Sequence, residues 1–242
     1  MNSGAQIFIE GGKLALDRRL ARYAWLPGLI AAAIVGVGLT LALSYVTDLS
    51  DYLVAQLPTW LTFLGAVIVP ILYLLGILIG AWVVGLLAVV VASPFLGDLS
   101  IEVERLKYPD NAPVHTPDFW PGIGQALARE GRKLGYHLPR LLGVFLITLI
   151  PVVNAISPFI WLLFGAWTMA VQFADYPAEN RGLPFTETLE ILRRDRGTAL
   201  VFGGCTTLAL AIPFLNFLLI PVAVAGGTLL WRQLASPAAE KP

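Results

Sequence analysis

The length of the stretches without a charged side chain constrains this chain more than any other feature. Four such runs cover residues 24–46, 52–97, 141–174 and 197–231, and they are 23, 46, 34 and 35 residues long. About 20 apolar residues are enough to cross the hydrocarbon core of a bilayer as a helix. Charged side chains make up 13% of the chain, which is about half the share usual in soluble domains. We therefore expect an all-α integral membrane protein.

The first two runs predict two long transmembrane helices. A cleavable export signal has an apolar core of about 7 to 15 residues. The run over residues 24–46 is longer, and it follows 23 residues that already carry six charges. We therefore interpret residues 24–46 as a span that the protein keeps. In the second run we expect one long tilted helix, over about residues 60–92, which returns to the first side of the membrane.

The last two runs fit neither one span nor two, since two spans need about 40 residues and a turn. Each is interrupted at its centre by a similar sequence, IPVVNAISP at residues 150–158 and IPFLNFLLIP at residues 212–221. Proline disfavours continuation of a helix, and asparagine bonds its own backbone in turns. The pattern predicts two half-spanning, re-entrant helical hairpins with arms of about 10 to 16 residues. Asn154 and Asn216 would have a structural or gating role in the turns; two kinked full spans are the alternative.

The basic residues fall in four segments of the chain. These are residues 1–23, 98–140, 175–196 and the C-terminal tail, whereas the loop after the first span carries Asp48 and Asp51 and no basic residue. An excess of lysine and arginine marks cytoplasmic segments, so we expect both termini in the cytoplasm. We predict a single membrane domain, 1–242, made of an interfacial helix at 1–23, spans at 24–46 and 60–92, a cytoplasmic helical segment at 98–140, a hairpin at 141–174, a cytoplasmic segment at 175–196 and a hairpin at 197–231.

The sequence carries no recognisable catalytic or cofactor site. Gly11, Gly12 and Lys13 lack the spaced glycine and the Ser or Thr of a nucleotide-binding loop. His115 and His137 have no second ligand at metal-binding spacing. The 16 basic and 16 acidic residues cancel, which argues against a nucleic-acid partner. We therefore predict no enzyme activity, no catalytic residues, no cofactor and no metal.

Three arginines stand directly before the first span, at Arg18, Arg19 and Arg22. A planar guanidinium binds a tetrahedral oxyanion through two parallel hydrogen bonds. This stretch is therefore a candidate anion site. The alternative is that the three arginines reach lipid phosphates and fix the orientation of the chain in the membrane.

Two glutamates, Glu102 and Glu104, stand close to Arg105 in the segment that follows the second span. We predict a structural or gating role for them, in which one glutamate pairs with an arginine and holds this segment against the membrane domain. The alternative is a solvated helix face, where exposed ion pairs contribute about 0 to 1 kcal/mol.

Several motifs along nearly the whole chain resemble those of the bacterial CysZ sulfate permeases. They are Gly-x-Lys-Leu followed by Leu-x-Arg-aromatic-x-x-Leu-Pro at 11–27, Ser-Pro-Phe at 93–95, Tyr-x-Leu-Pro-Arg at 136–140, Asp-Tyr-Pro with a following asparagine at 175–180, and Ile-Pro-x-x-Asn-x-x-x-x-Pro-Val-Ala-Val at 212–224. The resemblance implies an inner-membrane protein of Gram-negative bacteria that admits sulfate for cysteine biosynthesis. It also implies two long transmembrane helices and two half-spanning hairpins.

The resemblance further implies a sulfate site at two adjacent arginines before the first long helix. The second of this pair matches Arg22, and the first is replaced by Ala21. Arg18 and Arg19, about one helical turn upstream, are the candidates to complete the site.

We therefore expect a protein that passes sulfate inward through a lipid bilayer without hydrolysing nucleotide. Turn backbone at membrane depth is tolerated only where protein or water covers it. One copy has few elements with which to cover two turns, so we expect a homo-oligomer. A non-transporting membrane scaffold or assembly protein is the alternative. A lipid-modifying membrane enzyme is a further alternative, which the missing catalytic set disfavours.

Overall fold

A computed structural model describes residues 2–113, 119–212 and 216–236 of the protein. Throughout this part of the chain the regular structure is helical and contains no β-strand, which confirms the predicted all-α class. Short 3₁₀-helices lie at Thr59–Leu64 and Pro109–Asn111. The α-helices are α1 (Gly4–Ala15), α2 (Ala21–Ala55), α3 (Gly65–Lys107), α4 (Phe119–Thr148), α5 (Pro151–Asn154), α6 (Ser157–Glu179), α7 (Phe185–Arg194), α8 (Arg196–Leu210) and α9 (Asn216–Ala235).

The chain divides into two compact units. One consists of Pro27–Ser93, and the other combines Met1–Leu26 with Pro94–Pro242. Three helical segments of the described chain are long and apolar enough to cross a membrane: Gly28–Ala55, Thr59–Val84 and Ser157–Glu179. The protein therefore has the helices of a membrane protein.

The unit Pro27–Ser93 is an antiparallel pair formed by parts of α2 and α3. A Cβ atom built on Gly76 would lie 2.2 Å from Cγ2 of Val46, and one on Gly38 would lie 2.6 Å from Cγ2 of Val84. The two backbones approach this closely because neither glycine has a side chain. In the most apolar windows of Gly28–Ala55 and Thr59–Val84, 6% of the residues are buried. The described residues of these two windows are therefore largely apolar and exposed.

In the second unit the core lies between α1, α6, α8 and α9. Helix α1 packs on α8 and α9, and α6 packs on the same two helices. Close approach again depends on glycine, because a Cβ atom on Gly203 would lie 1.8 Å from the carbonyl oxygen of Ala166 and one on Gly11 would lie 2.6 Å from the backbone nitrogen of Gly226. The largest fully buried side chains include Phe202, Ile7 and Leu192.

The N-terminal region differs from the continuous interfacial helix expected over residues 1–23. Helix α1 ends at Ala15 and α2 begins at Ala21. Between them the Asp17 carboxylate accepts the backbone N–H of Arg19 at 2.8 Å, which is an Asx turn that stops the helix. Helix α2 then continues through Pro27.

Helices α4 and α6 extend beyond the uncharged run at 141–174 and into the polar segments on either side of it. Helix α4 has 30 residues and includes Pro139. Helix α6 has 23 residues, more than the 10 to 16 expected for a hairpin arm. It continues beyond residue 174 because the charged residue that follows, Asp175, is buried and paired rather than solvated.

Candidate functional site

Arg22 is the second residue of α2, and its side chain is exposed. One terminal guanidinium nitrogen donates to the hydroxyl of Tyr23 at 2.8 Å. The guanidinium carbon lies 4.6 Å from the centroid of the Tyr23 ring. These two contacts orient a planar cation at the start of a 35-residue helix, where the first backbone N–H groups have no partner within the helix.

Arg18 and Arg19 lie in the turn between α1 and α2, and both side chains are exposed. Within the part of the chain that the structure describes, neither these two arginines nor Arg22 forms a salt bridge. Three uncompensated positive charges therefore share one five-residue stretch. Ala21 begins α2, and its side chain is outside what the structure describes.

Glu104, near the end of α3, has 0% of its surface exposed. Its carboxylate accepts hydrogen bonds from both terminal nitrogens of Arg181, with a distance of 2.6 Å between Oε1 and Nη1. The Nε atom of Arg232 lies 3.6 Å from Oε2 of the same carboxylate. Because Arg181 follows α6 and Arg232 belongs to α9, this glutamate joins three helices of the second unit.

Aromatic rings cover the two arginines that face Glu104. The guanidinium carbon of Arg181 lies 4.7 Å from the Trp231 ring centroid, and that of Arg232 lies 4.7 Å from the Tyr108 ring centroid. Such stacking favours a guanidinium over an ammonium. The whole cluster is thus a buried ion pair closed by aromatic side chains.

Glu102 behaves differently from Glu104. It accepts a hydrogen bond at 2.6 Å from Arg105, three residues along the same helix, and Arg105 is exposed. A pair within one helix does not connect helices. Of the two glutamates, the structure therefore places Glu104 between elements, and a role in gating stays a prediction.

A second buried carboxylate, Asp175 of α6, was absent from the predicted site. It has 0% of its surface exposed. It accepts two hydrogen bonds from Arg129, at 2.6 and 2.7 Å, and one from the hydroxyl of Thr188 at 2.7 Å. The Nζ atom of Lys133 lies 3.1 Å from the same carboxylate. This cluster ties α4 to α6 and α7.

Burial and ion pairing shift the pKa of Arg129 in opposite directions. Burial alone would lower the pKa of its guanidinium, but the hydrogen bonds and negative charge of Asp175 raise it above the ordinary value. The cation therefore stays charged although its side chain is 8% exposed. One sequence signal could have indicated this site, because Arg129 and Lys133 are four residues apart and lie on one helical face.

The first hairpin turn carries Asn154 at the end of α5. Its side chain is exposed and accepts a hydrogen bond from the hydroxyl of Ser157 at 3.2 Å. Around it lie exposed apolar side chains, of which Val152 is 84% exposed. Asn216 begins α9, but its side chain and residues 213–215 of the second turn are outside the described part of the chain, as is His115.

Metal binding finds no support in the part of the chain that the structure describes, where no group of three His, Cys, Asp or Glu side chains is placed to hold an ion. The predicted residues thus fall into separate places. Arg18, Arg19 and Arg22 form an exposed cationic stretch, Glu104 lies in a buried ion pair, and Asn154 lies at a hairpin turn.

Most of the chain is similar to one known protein family. Residues 7–221 match the family described as "Sulfate transporter CysZ/Etoposide-induced protein 2.4". The chain belongs to this family. Among its CysZ members, the protein named sulfate transporter CysZ from Pseudomonas fluorescens Pf0-1 is 41% identical over 232 residues, which cover 95% of this chain and 92% of that protein.

More distant relatives align over the same length. The sulfate transporter CysZ of Pseudomonas syringae pv. tomato is 39% identical, covering 95% of this chain and 91% of that protein. The sulfate transporter CysZ of Vibrio atlanticus is 34% identical, covering 95% of this chain and 92% of that protein. The family match spans the cationic stretch and both buried carboxylates, while Arg232 lies beyond its last residue.

Proposed function

We propose that this protein admits sulfate across the bacterial inner membrane and so supplies cysteine biosynthesis, without hydrolysing nucleotide itself. The observation that carries the proposal is its similarity, at 34% to 43% identity, to proteins named sulfate transporter CysZ over 95% of its length. The apolar helices suit a membrane-embedded protein. A scaffold without transport is not favoured, because the relatives carry the names of transporters.

Sulfate binding is assigned to the cationic stretch formed by Arg18, Arg19 and Arg22 at the start of α2. Arg22 is the principal ligand, since its planar group is exposed and oriented by Tyr23. Arg19 and Arg18 supply further charge, and the backbone at Ala21 contributes helix N–H donors. Each charge-assisted hydrogen bond to an oxyanion is worth about 1.5 to 3 kcal/mol.

The proposed membrane arrangement has α2 and α3 as full spans and two half-spanning hairpins, with both termini in the cytoplasm. Helix α8 has 15 residues, or about 22 Å at 1.5 Å per residue, which is less than the hydrocarbon core of about 30 Å. In the first hairpin, charged partners on α4 and α6 meet at Arg129 and Asp175, while the turn at the other end is apolar and exposed. An apolar turn of this kind favours lipid or another subunit over water.

A homo-oligomer follows from the same turns. Exposed backbone at membrane depth needs protein or water around it, and the first turn has exposed apolar neighbours such as Ile150, Val152 and Ile156. A second copy of the chain would supply the missing cover.

A growth experiment tests the proposed function. A bacterial strain that lacks its own sulfate uptake proteins should grow on sulfate as the sole sulfur source when this chain is produced. The same cells should grow on cysteine with or without the chain, which controls for toxicity. Growth on sulfate that stays at the level of the empty vector, with the protein present in the membrane, would contradict the proposal.

A further inference from the structure

An open recess of about 240 Å³ lies where helices α4, α6, α7 and α8 meet. It is lined by Tyr136 of α4, Trp167 of α6, Arg193 of α7 and Arg196 of α8. Neither the predicted sulfate site nor the two buried carboxylates contribute to its wall. Two aromatic and two cationic side chains therefore share a recess that has no role so far.

The hydrogen bonds around this cavity leave donors available. The Tyr136 hydroxyl accepts the indole N–H of Trp167 at 3.0 Å. A phenol that accepts one hydrogen bond still has its own O–H to donate, and within the described chain that hydrogen has no acceptor. Arg193 and Arg196 are exposed and make no salt bridge to any described residue.

The nearby acid, Asp195, does not neutralise the two arginines through a direct contact. Its carboxylate accepts the backbone N–H of Thr198 at 3.0 Å and the hydroxyl of the same residue at 2.5 Å. These hydrogen bonds stabilise the ionised carboxylate and lower the pKa of Asp195. A third cation, Arg140, stacks on the Tyr136 ring, with its guanidinium carbon 3.6 Å from the ring centroid. The recess thus has an excess of positive charge.

We propose that this cavity binds a tetrahedral oxyanion. The guanidinium groups of Arg193 and Arg196 hold its oxygens through charge-assisted hydrogen bonds, and the Tyr136 hydroxyl donates a further one. Two sources offer this chemistry: a free anion such as sulfate, and the phosphodiester of an anionic lipid headgroup. Aromatic and basic side chains together are typical of the membrane–water interface, so both sources reach such a place. The proposal does not depend on transport of sulfate.

Calorimetric titration of the full-length protein in neutral detergent tests this site. All variants carry Arg22→Ala, so that binding at the stretch before α2 does not mask the signal. Sodium sulfate is titrated in one series and dihexanoylphosphatidylglycerol in another. The site variant is Arg193→Gln with Arg196→Gln, and the control is Arg194→Gln, an exposed arginine of the same helix that does not line the cavity.

The double variant should bind one of the two titrants at least about tenfold more weakly than the control does. A loss for sulfate identifies a free anion, and a loss confined to the phosphatidylglycerol series identifies a lipid headgroup; either supports the site. Equal affinities of the double variant and the control for both titrants overturn the proposal. If the double variant folds poorly, the single Arg193→Gln variant replaces it in the same comparison. That variant is used once its thermal unfolding occurs at the same temperature as that of the parental protein.

Discussion

Two fully buried carboxylates, Glu104 and Asp175, each accept a pair of hydrogen bonds from an arginine. Removing one partner of a buried ion pair leaves an uncompensated charge, which costs about 3 to 5 kcal/mol, whereas an exposed pair is worth about 0 to 1 kcal/mol. The chain offers an internal comparison, because Glu102 and Glu104 are two residues apart on α3 and both pair with arginine.

Glu104→Gln should lower the free energy of unfolding by about 3 kcal/mol, because the partly buried Arg181 then faces a neutral amide. Glu102→Gln should change it by less than about 1 kcal/mol. Thermal or denaturant unfolding in detergent measures both. Equal effects for the two variants would contradict the assignment of Glu104 as the residue that joins α3 to the end of α6 and to α9.

His137 predicts a pH dependence of stability. Burial, together with the positive charges of Arg140 and Lys133, lowers the pKa of its imidazole below the ordinary value of 6.5. The unfolded chain therefore takes up the proton at a higher pH than the folded chain does, and stability falls as the pH drops below about 6.5. His137→Gln should remove this part of the pH dependence between pH 7.5 and 5.5. Parallel stability curves for the two proteins would show that the imidazole has no such effect.

At the scale of helices, the sequence predicted where helices exist better than where they end. The uncharged runs located α2, α6, α8 and most of α3, because apolar side chains of sufficient number form helices in a membrane. Their ends depend on distant partners, and α6 continues through Asp175 because Arg129, 46 residues earlier in the chain, neutralises it. Pro139 and Pro177 also lie inside helices, so packing overrides the tendency of proline to stop them.

Substitutions at two adjacent glycines of α8 test how closely α6 and α8 pack. A Cβ atom on Gly203 would lie 1.8 Å from the backbone oxygen of Ala166, whereas one on Gly204 would meet the Ala166 side chain at an ordinary 3.9 Å. Gly203→Ala should destabilise the protein by about 1 to 3 kcal/mol, and Gly204→Ala should be neutral or stabilising by up to about 1 kcal/mol. Unfolding of the two variants side by side measures this difference. A neutral Gly203→Ala would mean that the helices are further apart.

Across the whole molecule, the sequence predicted some of the candidate sites and missed others. The arginine stretch and Glu104 were found because unusual charge stands next to long uncharged runs. The pairing of Glu104 with Arg181 spans 77 residues, and that of Asp175 with Arg129 spans 46. Neither choice of partner is encoded locally, since the fold decides which cation reaches a buried carboxylate. The cavity at Tyr136 was missed for the same reason.

The proposed topology predicts a pattern of chemical access. In a Cys205→Ser background, cysteines at Asn154, Asn216 and Asp51 are treated in intact cells with a membrane-impermeant thiol reagent. Asp51→Cys should react from the outside, because this exposed residue lies near the C-terminal end of α2, in the segment that carries acidic and no basic residues, and the two hairpin cysteines should not. All three should be tested again after permeabilisation. Labelling of all three in intact cells would exclude re-entrant hairpins.

Uptake of radiolabelled sulfate into liposomes that contain the purified protein, with no nucleotide present, tests whether the protein itself transports sulfate. We expect uptake well above that of protein-free liposomes. Arg22→Ala should weaken sulfate binding by about 10- to 150-fold and lower uptake at sulfate concentrations below saturation, and Arg22→Lys should not fully restore either, because an ammonium lacks the planar fork. Lys13→Ala, which changes an exposed cation on α1, should transport normally. Uptake equal to that of empty liposomes would contradict the account, and a scaffold without transport would take its place.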